Sequence, residues 1–113
     1  MEQIIELIKQ ACSYIKELIV RIIEGCLNFA QNVVGWFRNL KLRQGRDIPF
    51  IANANQEVFK EMLQKAPVRP VGIFQGVYNE ELDEITHNEY LEADELDEKT
   101  KQIIGNDVLT VLK

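Results

Sequence analysis

His87 is the only histidine in the chain, and the segment around it, ITHNEYLEAD, supplies Glu89, Glu92 and Asp94. A metal site needs several His, Cys or carboxylate ligands converging on one point, and a lone histidine with no cysteine near it in sequence is a poor start. A solvated histidine on a strand is the plainer expectation. The pairs Glu80/Glu81 and Asp83/Glu84 share only their composition with a calcium loop, because the Asp-x-Asp-x-Asp-Gly spacing and the closing glutamate are absent. Ser13 is the sole serine and has no base in its neighbourhood. GIFQG is two glycines in a strand-like run, not a phosphate loop, and no nucleophile elbow or Walker lysine is present. The inventory therefore offers no catalytic residue, no metal ligand set and no cofactor-binding residue, and the expectation is a non-enzyme without a cofactor.

The two cysteines, Cys12 and Cys26, lie fourteen residues apart, or about 21 Å along a helix, too far to bridge within it. They read as buried, reduced thiols, which points to a cytoplasmic compartment. The first residues lack the basic start of a signal peptide. The longest uncharged run, Gly25 to Phe37, has thirteen residues and includes Asn28, Gln31 and Asn32, so it does not span a bilayer.

The elements that would carry these residues fall into three segments. Residues 1–40 show apolar rows at heptad spacing: Met1, Ile8, Ile15, Ile22, Phe29 and Trp36 in one, Ile5, Cys12, Ile19, Cys26, Val33 and Leu40 in another. With no proline before Pro49, the spacing predicts one long amphipathic helix from residue 2 to about 39, with Gly25 and Gly35 as weak break points. Such a helix would be about 57 Å long, against a radius of gyration near 13 Å for a domain of about 100 residues. The rest of the chain could not cover its apolar stripe, so either the helix breaks and folds back as a hairpin, or a second copy, a partner or a membrane surface covers it. Residues 41–54 read as a connector broken by Gly45 and Pro49, with Ile48, Phe50 and Ile51 packing down.

Residues 55–113 read as a small acidic module in the order α-β-β-α-β: a helix QEVFKEMLQKA, a strand near 71–78, an acidic turn, a strand near 85–92, a helix capped by Asp97 and stopped by Gly105, and a closing strand VLTVL. Gly72 and Gly76 would let another element approach the first of these strands closely. The fold class expected is α+β, a long N-terminal helix followed by this module.

Charge is unevenly spread over the 113 residues. Residues 1–50 carry seven Lys/Arg against five Asp/Glu, whereas residues 51–113 carry six against thirteen. Arg38, Lys41, Arg43 and Arg46 form a basic collar directly after Trp36 and Phe37; Glu80, Glu81, Asp83, Glu84, Glu92, Asp94 and Glu95 dominate an acidic stretch. The resulting expectation is a non-catalytic interaction protein. It would form a homo-oligomer or dock a partner protein through the stripe of Ile8, Ile15, Ile19, Ile22, Phe29, Val33, Trp36 and Phe37, while the acidic module contacts neighbours or a second partner. A second reading is a membrane-surface effector at the inner face of the membrane, using Trp36, Phe37 and the collar. A third is an acidic inhibitor that mimics nucleic acid; direct nucleic-acid binding is disfavoured by a pI near 4.9.

Overall fold

A computed structural model describes residues 2–43, 45–105 and 107–112; Met1, which opens the first apolar row, lies outside them. Its elements are α1 (Glu2–Cys12), β1 (Val20–Leu27), a π-helical turn (Phe29–Val34) running into α2 (Gly35–Arg38), β2 (Asp47–Asn53), α3 (Glu57–Leu63), β3 (Val71–Asn79), β4 (Glu84–Leu96), α4 (Glu98–Ile104) and β5 (Leu109–Val111). The strands form one mixed sheet in the order β1-β4-β3-β2-β5, with β1 parallel to β4 and every other pairing antiparallel. The protein is thus α+β, and its sheet draws strands from residues 1–40, 41–54 and 55–113 alike.

Each face of the sheet carries its own apolar layer. On one, Phe50, Ala52, Phe74, Tyr78 and Tyr90 meet Ile8, Ala11 and Cys12 of α1 and Phe59 of α3. On the other, Ile51, Ile73, Leu91 and Ala93 meet Val33 of the π-helical turn and Ile104 of α4. The alternation along β2 and β3 sends successive side chains to opposite layers, as strand geometry requires. The two glycines of β3 permit close approach, as anticipated. A Cβ on Gly76 would lie 2.9 Å from the His87 carbonyl oxygen and 3.0 Å from Phe50 Cζ, and one on Gly72 would overlap the Pro67 ring.

The long N-terminal helix is not formed. Helix α1 stops after 11 residues, where Ser13 Oγ donates to the Gln10 carbonyl oxygen at 2.6 Å, and the chain returns as a strand. Two physical causes favour this. Leu18-Ile-Val-Arg-Ile-Ile is a largely β-branched run, which loses side-chain freedom in a helix and fits a pleated surface. Gly25 takes φ +91° where the β1–β4 register shifts between Ile23 and Cys26, a bulge that suits glycine. The gain is the outer edge of β4: β1 pairs with it from Val20↔Tyr90 to Leu27↔Leu96. The molecule measures 37 × 28 × 25 Å, shorter in every direction than the continuous helix would have been.

The stripe is correspondingly dispersed. Ile8 and Val33 are buried, but on opposite faces of the sheet, and Ile15 packs beside Ile8's cluster. Phe29, Trp36 and Phe37 are half-buried, while Ile19 and Ile22 are exposed. Most of the apolar surface that appeared to need a partner is covered by the chain itself. Among the described residues no helix is long and apolar enough to cross a membrane.

Candidate functional site

The π-helical turn is held at its start by three side chains. Asn28 accepts the Gln31 N–H at 2.9 Å through its side-chain oxygen, and its own N–H donates to Asn32 Oδ1 at 2.7 Å. Asp97 Oδ2 accepts the Phe29 N–H at 3.0 Å, while its Oδ1 takes the Thr100 N–H at 3.0 Å and caps α4. Burial works against the Asp97 carboxylate, but the hydrogen bonds from Thr100 and Phe29 outweigh it and hold the group below the usual aspartate range. One carboxylate therefore fastens two helical elements side by side.

What they enclose, with the β5 edge of the sheet, is an apolar groove of about 920 Å³. Phe29, Val34 and Phe37 form one wall, Ile103 and Leu112 another, and Ile48 and Pro49 of β2 with Val111 close the sheet side. Ile4 reaches it from α1, and Leu42, Arg43 and Gly45 come from the loop after α2. Its charged lining is Arg38, Arg43 and Asp47. Asp47 is already engaged, accepting the Arg43 N–H at 2.9 Å and Asn79 Nδ2 at 3.1 Å. Trp36, the only tryptophan, packs edge-on against Phe37 with ring centroids 4.9 Å apart.

The groove brings together part of the expected stripe, Phe29 and Phe37, with part of the collar, Arg38 and Arg43. Lys41 is exposed in the same loop, whereas Arg46 turns away to an ion pair with Glu81 at 3.1 Å. The basic and acidic poles thus meet within one chain. The acidic stretch is not a single surface. Glu80, Glu81 and Asp83 occupy the β3–β4 turn and Glu84 opens β4, where the Tyr78 hydroxyl donates to Asp83. Glu92 is buried in the sheet, and Asp94 and Glu95 are exposed near the other end of β4. Asp94 bonds Arg69 Nη1 at 3.2 Å and accepts the Gly25 N–H at 3.0 Å.

Sequence reasoning missed the groove residues Ile4, Leu42, Ile103 and Leu112, each an ordinary apolar residue whose partners are distant in the chain. It also missed a buried polar pair. Gln75 is fully buried and donates through Nε2 to the Asn32 carbonyl oxygen at 3.1 Å and to Glu89 Oε1 at 3.0 Å. Burial raises the Glu89 pKa above the ordinary carboxylate value, and Arg21, 3.9 Å away, and Gln75 only partly offset it. The alternation of β3 held the available signal: Gln75 stands where the strand pattern calls for an inward side chain.

The folded Glu89 therefore holds its proton to a higher pH than the unfolded chain does. Stability falls as pH rises from the unfolded towards the folded pKa and stays lower above both. Glu89→Gln removes that loss and keeps an oxygen for Gln75 Nε2. The Arg21 pairing it sacrifices is half exposed and worth no more than about 1 kcal/mol. We expect a Tm gain of a few degrees at neutral pH that shrinks to nothing in acid, read from thermal melts across the range. An equal or lower Tm at neutral pH would remove this account of Glu89.

The cysteines divide. Cys12 is buried, and desolvation pushes its thiol up to about 12, so it is inert. Cys26, expected to be buried, is exposed near the end of β1. His87 is exposed, with Nδ1 3.1 Å from Thr86 Oγ1. Among the described residues no three His, Cys, Asp or Glu side chains are grouped to hold a metal ion. Compared with protein-family models, curated proteins and solved structures, the chain matches none of them.

Proposed function

We propose that this chain is a non-catalytic interaction protein that self-associates, with the open edge of β1 as the surface joining two copies. The observation that carries the reading is a group of exposed apolar residues at the start of an edge strand: Ile19, just before β1, and Val20 and Ile22 within it are 49%, 46% and 55% exposed. Edge strands offer unpaired backbone groups to another strand, and β-branched side chains on such an edge favour pairing. The Tyr90 N–H donates to the Ile19 carbonyl oxygen at 2.7 Å. Alternate residues of a parallel strand bond to the same neighbour, so Val20, Ile22 and Glu24 turn their backbone groups to the open side.

A two-fold axis perpendicular to the sheet makes β1 antiparallel to its copy and keeps both faces continuous. Centring the axis on Arg21 would oppose like charges. Centring it on Ile22 sets Ile22 against itself and Val20 opposite Glu24, which avoids that repulsion. Arg21 and Glu24 leave β1 itself with no net charge, so the paired segments do not repel one another locally. Within the acidic stretch Glu92 is buried, while Glu81, Asp83 and Asp94 are exposed and paired with Arg46, Tyr78 and Arg69 of the same chain.

Sedimentation equilibrium at micromolar concentration tests the reading. We expect a dimer whose dissociation constant rises by at least about tenfold in Ile22→Lys, since a lysine on the strand edge blocks pairing. Circular dichroism should show that the variant remains folded. A wild-type monomer throughout the accessible concentration range would end the proposal.

A further inference from the structure

We propose that the groove at the β5 edge binds a single-chain anionic amphiphile, a long-chain carboxylic acid, with its hydrocarbon tail among the groove walls and its carboxylate at Arg38 and Arg43. This site is independent of the self-association surface: β1 and β5 are the two outer strands of the sheet, on opposite sides of it.

The volume, about 920 Å³, lies within the roughly 300–1,000 Å³ of small-molecule sites. The lining is mostly apolar, and Phe29, Phe37, Ile48, Ile103 and Leu112 are all half-buried along an open groove at the sheet edge. A tail can lie among them. A bilayer surface would instead need these side chains to protrude, and a helix or strand of a partner would need a long open trough. The opening is positive. Asp47, the acid in the lining, already accepts a hydrogen bond on each oxygen, from Arg43 N–H and from Asn79. Among the described residues neither Arg38 nor Arg43 makes an ion pair, although the neighbouring Arg46 does. Two exposed guanidinium groups lining an apolar groove match a carboxylate on a hydrocarbon chain, because arginine offers paired donors in the geometry a carboxylate accepts.

Titration of the full chain with palmitate below its micelle concentration, followed by calorimetry and by Trp36 fluorescence, tests the assignment; Trp36 is the sole tryptophan and packs on the groove residue Phe37. We expect saturable binding of one palmitate per chain. Affinity should fall about fourfold per methylene removed in going to myristate and laurate, the value for full burial of each methylene. Hexadecanol, which lacks the charge, should bind roughly tenfold or more weakly. Arg38→Ala combined with Arg43→Ala, both exposed positions, should abolish the preference for the acid over the alcohol, whereas Arg46→Ala should leave it intact. The proposal is overturned by the absence of saturable palmitate binding, by equal wild-type affinity for acid and alcohol, or by an acid preference that survives the double substitution. Binding only to anionic phosphatidylglycerol vesicles, with none to monomeric palmitate, would likewise overturn it in favour of a membrane surface.

Discussion

Phe74→Ala should cost about 3–5 kcal/mol of folding stability, the range for truncating a fully buried aromatic residue. Phe74 has no exposed surface and lies in β3, which is paired on both sides. It stands opposite Ala52 on one neighbour and Tyr90 on the other. Its ring is tilted against Phe50, with centroids 5.9 Å apart. Removing it opens a void where α1, α3 and the sheet meet, and the strands on either side are tied by backbone bonds and cannot close it. Since small domains are stable by only about 5–15 kcal/mol, the loss should move the urea midpoint by a large fraction of its value with little change in slope. Val68→Ala is the natural control, because Val68 is 90% exposed. If the two substitutions shift the midpoint equally, the layer described around Phe74 is not the core.

The next largest effect is expected at Glu92, which looks in the sequence like one more acid in a solvated run. It is 3% exposed, and its Oε1 accepts the N–H groups of Val68 and Arg69 at 2.9 and 3.0 Å. That bracket ties the proline-flanked segment between α3 and β3 down onto the sheet, beside Gly72, opposite which Glu92 sits in the ladder. Glu92→Ala strands both donors at about 1–3 kcal/mol each, for an expected loss of about 2–6 kcal/mol. Glu92→Gln keeps an acceptor oxygen and should cost markedly less. Urea titration gives the totals, and amide exchange at residues 68 and 69 should accelerate in the alanine variant alone. Equal losses in the two variants would show that the oxygen is not what holds the segment.

The second half of the chain was legible because its signals are local. Asp97 caps α4 and Gly105 ends it, as the residue types indicate, and the β3–β4 hairpin appears where the β-branched and aromatic runs lie. The first half was not, because heptad counting registers apolar spacing without asking what backbone the residues favour. Phe29, Val33 and Phe37 keep helical spacing and are helical or π-helical, whereas Ile19, Val20, Ile22 and Ile23 carry the same apparent period into an extended segment and a strand. Strand β2 was hidden by Pro49, read as a breaker. Its carbonyl accepts the Leu112 N–H at 2.8 Å, so its backbone faces the end of the short β5, where the missing N–H interrupts little of the ladder. As for the groove, Arg38, Arg43, Phe29 and Phe37 stood out in the sequence. Their convergence depends on Asp97 bonding to Phe29, a contact across 68 residues that no local pattern records.

That β1 pairs with β4 across some seventy residues has a kinetic consequence. The β3–β4 hairpin closes over a short turn and can form early, but β1 must cross a large loop-closure entropy before any of its ladder bonds compensate. It is thus the natural last strand to dock and first to leave. While it is absent, the segment of β4 from Tyr90 to Ala93 presents a bare edge to solvent. A nascent chain therefore passes through a stage in which a second molecule's β1 could take the vacant place, and strand exchange competes with correct folding at high concentration.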